Sequence, residues 1–70
     1  MAQITPLDRL FITVKQNGIS RLFTELTGVT SFSDIVSFTR SQLPGITGLT
    51  VINIRNSSEG WSTSQSVLFR

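Results

Sequence analysis

Ile19, Leu22, Phe23 and Leu26 recur at i, i+3, i+4 and i+7, with Ser20, Arg21, Thr24 and Glu25 between them. This spacing predicts an amphipathic helix over 19–27. Gly28 then stands where a left-handed C-cap belongs, and Arg21 and Glu25 form an i, i+4 pair on the polar side. As a strand the same residues would divide their apolar members between both faces.

A second helix is predicted over 31–43. Ser31 is a good N-cap with Asp34 three residues later, a variant of the capping box. Phe32, Ile35, Val36, Thr39 and Leu43 line one face, and Pro44-Gly45 ends the run. Its serines, threonines and β-branched residues are mediocre helix formers, so tertiary packing has to hold it. Phe38 falls off the apolar stripe.

Residues 49–55 alternate and are β-branched, residues 56–60 are a turn cluster, and residues 61–69 follow as a second strand. Together they predict a C-terminal hairpin. Segment 6–17 has two readings. Thr5 as N-cap, Pro6 in the first turn and Asp8 near the dipole start suggest a helix. The β-formers of 10–14, with Asn17-Gly18 as a tight turn, suggest a strand.

The leading architecture is α+β, a helical N-terminal half packed on the C-terminal hairpin. The alternative is ββαββ, the element order of β-grasp folds. There Ile12, Val14, Ile19 and Phe23 would face the helix, and Phe11, Leu22 and Leu26 would lie on the outer face. Either way, 70 residues make a single domain with one small core.

Composition narrows the chemistry. With no cysteine there is no disulfide or zinc–thiolate site, and with no histidine there is no imidazole base or ligand. Asp8, Glu25, Asp34 and Glu59 each fall at a helix start, in an i, i+4 pair or in a turn. The five glycines match no phosphate-loop spacing. The expectation is a non-enzymatic protein with no catalytic residues, no cofactor and no metal.

The net charge is +2, from Arg9, Lys15, Arg21, Arg40, Arg55 and Arg70 against four carboxylates. The pI near 10.6 reflects arginines with no tyrosine or cysteine to titrate beside them, not a basic cluster. Ten serines and nine threonines make a polar, weakly charged surface that repels copies of itself little. No signal peptide or membrane span is expected, since apolar runs such as residues 10–12 are short. A cytoplasmic protein, or part of a viral or mobile-element assembly, is the expectation.

The sequence therefore points to protein association, as a homo-oligomer or an accessory subunit. Phe38, Trp61, Val67 and Phe69 are the candidate partner-binding residues, on the hairpin edge and the helix side. Residues 60–69 carry no charge and no proline, so the hairpin edge lacks the usual guards.

The stretch Leu26-Thr27-Gly28-Val29-Thr30, read as the turn between two helices ahead of a hairpin, resembles a winged helix-turn-helix. It differs in Thr27 before the glycine and Asp34 six positions after it. The resemblance implies DNA binding through Ser33, Ser37 and Arg40, with Arg55 and Arg70 on phosphates. Arg9-Leu10-Phe11-Ile12-Thr13 and the strand at 49–55 are also similar to small phycobilisome linker polypeptides, in two strands of generic character.

Overall fold

A computed structural model describes residues 4–70. Its elements run β1 (Leu10–Gln16), β2 (Ile19–Leu26), α1 (Phe32–Gln42), β3 (Gly48–Asn56) and β4 (Trp61–Phe69). The strands form one antiparallel sheet in the order β2-β1-β3-β4. The helix packs on one face of it. The fold is α+β with the ββαββ element order. The helical N-terminal half does not form: 19–26 is a strand, and 6–17 contributes a strand with no helix.

Asn17-Gly18 decides the first hairpin. Gln16 pairs with Ile19, so the loop has two residues, and both take positive φ (51° at Asn17, 76° at Gly18). A type I′ turn requires that conformation and matches the twist of the flanking strands. The helix-start chemistry at residues 5–8 also forms, but as a turn. The Asp8 amide donates to the Thr5 carbonyl at 3.0 Å, and the Thr5 amide donates to Asp8 Oδ2 at 3.1 Å. These bonds close one turn, and the chain then enters β1.

The helix-like spacing in β2 has a specific origin. A regular continuation of the Gln16–Ile19 register would set Arg21, Phe23 and Glu25 beside Val14, Ile12 and Leu10. Two charges would then enter the core, at several kcal/mol each. The register instead shifts between Val14 and Lys15, so that Val14 faces Leu22, Ile12 faces Thr24 and Leu10 faces Leu26. Arg21 is the extra, unpaired residue. A bulge forfeits about one ladder bond, roughly 1 kcal/mol, and one residue of slip exchanges the two faces of everything beyond it. The face assignment expected for ββαββ is therefore reversed beyond the bulge, while Ile19, before it, stays on the helix side but uncovered. Leu22 and Leu26 pack on the core, while Ile19 and Phe23 are 64% and 69% exposed.

The core comprises Leu10, Ile12, Val14, Val29, Ile35, Ile52, Ile54 and Phe69. The strands β3 and β4 form the expected hairpin in unbroken register, from Gly48 opposite Phe69 to Asn56 opposite Trp61. Buried Asn56 shapes its turn, with Oδ1 accepting from the amides of Ser58 (2.9 Å) and Glu59 (3.0 Å).

The helix starts where expected. The Asp34 amide donates to the Ser31 hydroxyl at 3.4 Å. Asp34 Oδ2 accepts from the Thr30 amide and hydroxyl, both at 3.1 Å. The Thr30 amide, with the Thr30 and Ser31 side chains behind it, holds the exposed Asp34 carboxyl below its ordinary value of 3.8 against a small opposing desolvation.

Candidate interaction surfaces

The predicted partner-binding residues separate on folding. Phe69 is 2% exposed and belongs to the core, with the Arg40 guanidinium 5.1 Å from its ring centre. That corrects its assignment, because its ring has no surface to offer. Trp61 and Val67 are half-buried and packed against the core from β4. Phe38 is half-buried on α1 and lies outside the residues packed on the core cluster.

The winged-helix premise fails with the first helix. Gly28, at φ 78°, joins a strand to a helix, so no helix-turn-helix exists among the described residues. Ser33, Ser37 and Arg40 are exposed on α1. Arg55 projects from the opposite face of the sheet, beside Phe11, and Arg70 lies beyond β4. The sheet divides the set.

Two surfaces remain. One is the β4 edge, which has no strand beyond it among the described residues. On the helix side of β4 the cover is incomplete. Gln65 is exposed there, and a cleft of about 370 Å³ runs along Trp61, Thr63 and Gln65 beside Phe32 and Ile4.

The other surface is the sheet face away from the helix. Strand alternation and register place Phe23 and Glu25 of β2 on it, with Phe11, Thr13 and Lys15 of β1. They also place there Leu49, Val51, Asn53 and Arg55 of β3 and Ser62, Ser64, Ser66 and Leu68 of β4. A shallow cleft of about 350 Å³ on this face is lined by Phe11, Thr13, Lys15, Phe23, Asn53 and Arg55. Phe23, the most exposed aromatic of the face, was hidden in the sequence because the helical stripe counted it as core. The signal that could have found it is Glu25: a strand that keeps Glu25 out must keep Phe23 out with it.

Three of the four carboxylates have structural partners. Glu25 is ion-paired with Arg9 at 3.1 Å, Asp8 closes its turn and Asp34 caps α1. Among the described residues no cluster of acidic side chains could hold a metal ion. Among the described residues no helix is long and apolar enough to cross a membrane. In comparisons with known proteins, no family model, curated protein or solved structure matches this chain.

Proposed function

We propose that this chain is a non-enzymatic association module that pairs with a second copy of itself through the β4 edge. The contrast between the two edges of the sheet supports this reading. At the β2 edge a bulge twists the strand and Arg21 and Glu25 carry charge, the usual protection against strand addition. At the β4 edge nine residues run in regular register with no charge, no proline and no bulge.

The sequence of β4 is self-complementary about its centre. Antiparallel pairing on a two-fold axis at Gln65 sets Thr63 against Val67 of the second copy, and Trp61 beside the backbone of Phe69, whose ring is turned into its own core. Ser64 then meets Ser66, and the two Gln65 amides meet each other. The polar middle meets itself and Ser62 falls opposite Leu68, each contact being made twice about the axis, as in an isologous interface. Main-chain bonds supply affinity and the matched side chains supply register. Trp61 and Val67 serve this reading from the strand itself, and Phe38 has no part in it.

Light scattering behind size exclusion, at low and at high salt, tests it. A dimer is expected at both salts, because no ion pair holds the edge. Gln65→Lys places like charges opposite each other at the axis and is expected to yield a folded monomer, with the circular dichroism spectrum of the parent and a thermal midpoint that no longer depends on protein concentration. A wild-type monomer at both salts, or a Gln65→Lys dimer, would overturn the reading.

A further inference from the structure

The sheet face away from the helix is net positive. Arg9, Lys15 and Arg55 stand on or beside it, and Glu25 is the carboxylate that strand register places among them. Glu25 is already neutralised by Arg9 at 3.1 Å. Among the described residues Lys15 and Arg55 have no carboxylate within ion-pairing distance. They stand at opposite ends of the cleft whose walls include Phe11 and Phe23.

The two rings are diagonal neighbours on adjacent strands. Phe11 is opposite Glu25 and Phe23 is opposite Thr13, two residues further along each strand. Thr13 and Asn53 lie directly opposite each other, between the Phe11–Arg55 pair and Lys15, and offer a hydroxyl and an amide to the same cleft. The face thus presents two aromatic surfaces, flanking cations without partners, and neutral hydrogen-bonding groups between.

We infer that this face binds single-stranded nucleic acid, with unpaired bases stacking on Phe11 and Phe23 and backbone phosphates meeting Lys15 and Arg55. Phenylalanine rings offer a π-face and no hydrogen bond, so they suit bases whose own faces are free and discriminate little among sequences. A duplex hides those faces inside its stack. A protein partner would be better served by a contiguous apolar patch. Here the aliphatic residues Leu49, Val51 and Leu68 gather at the Lys15 end, with Val51 opposite Lys15 itself and none of the three directly paired with a ring. The inference stands independently of pairing through β4.

Fluorescence anisotropy tests it, with a short labelled oligo(dT), the matching oligo(U), and a duplex of equal length. Single strands of either sugar are expected to bind more tightly than the duplex, and to weaken as salt rises from about 50 to about 200 mM. Phe23→Ala, at a largely exposed ring, should lower affinity by roughly tenfold without moving the thermal midpoint. Lys15→Gln and Arg55→Gln should each flatten the log–log salt dependence by about 0.7. Arg40→Gln, the same charge change on the helix side, should leave binding as it was. Equal affinity for the duplex, an equal loss from Arg40→Gln, an unchanged affinity in Phe23→Ala, or no binding at the lower salt would each overturn the inference.

Discussion

The two hairpins of this sheet use similar lengths of chain and end in opposite kinds of edge. The β1–β2 hairpin turns in two residues and breaks its register at Arg21, and its outer strand carries charge. The β3–β4 hairpin turns through a longer loop organised by Asn56 and holds register over nine residue pairs, and its outer strand is neutral. Irregularity in the first is what protects it. A bulged, charged strand is a poor template for another chain, and a flat neutral one is a good template. Both hairpins give side chains to the same core, so the difference is one of outward behaviour more than of stability.

The largest expected effect comes from moving the bulge. Deleting Thr24 would turn Glu25 toward the core and Leu26 away from it. Several kcal/mol of desolvation is enough to unfold a domain of this size, and loss of the folded circular dichroism signal is expected. Deleting Arg21 removes the extra residue while Val14 still meets Leu22, so the fold should survive with a midpoint close to that of the parent. If both deletions unfold the chain, the register account of β2 is wrong.

Next comes Phe69→Ala. The ring is the largest fully buried side chain, and its removal should cost about 3–5 kcal/mol. Denaturant melts of the Gln65→Lys monomer isolate that cost from any effect on pairing. A loss below about 1 kcal/mol would return Phe69 to the surface and restore its candidacy as a partner contact.

The first hairpin also marks the limit of what could be read from the chain. The alternation over 49–55, the turn at 56–60 and the Ser31–Asp34 cap each rest on local chemistry and have the expected conformation in the fold, and Asn17-Gly18 takes the tight-turn conformation of its strand reading. The strand at 19–26 rests on a tertiary condition. Its apolar residues fall at helical spacing because a bulge changes which face they serve: Ile19 lies before it and Leu22 and Leu26 after it, while Phe23 is left outside. Nothing in the run itself distinguishes that from a helix. Only the charges at Arg21 and Glu25, set against the apolar face of β1, carry the information. The same slip concealed the cleft at Phe23, so the face and the fold were misread for one reason. At the second hairpin the neutral edge was legible, because absence of charge is a local property, while the burial of Phe69 depends on how α1 crosses the sheet.

The smallest expected effect is on the acid side. The carboxyl of Asp34 titrates below 3.8 in the folded chain, chiefly because it accepts from the Thr30 amide. A depressed carboxylate adds stability that is fully present above its unfolded value and is lost as pH falls through the folded one. The midpoint of the parent should therefore fall slightly faster than that of Asp34→Asn as pH drops below about 3.8. Parallel curves would remove Asp34 from the account of α1.

Oxidative cross-linking of Gln65→Cys tests the central claim most directly, since the chain has no other cysteine. Residues opposite each other at a two-fold axis hold their Cβ atoms about 4.5–5.5 Å apart, near disulfide reach. Rapid formation of a covalent dimer at low protein concentration is the expected result, with Thr24→Cys on the guarded edge staying monomeric. Cross-linking of the two variants at the same slow rate would show that the β4 edge meets its copy no more often than the β2 edge does, and would contradict the account.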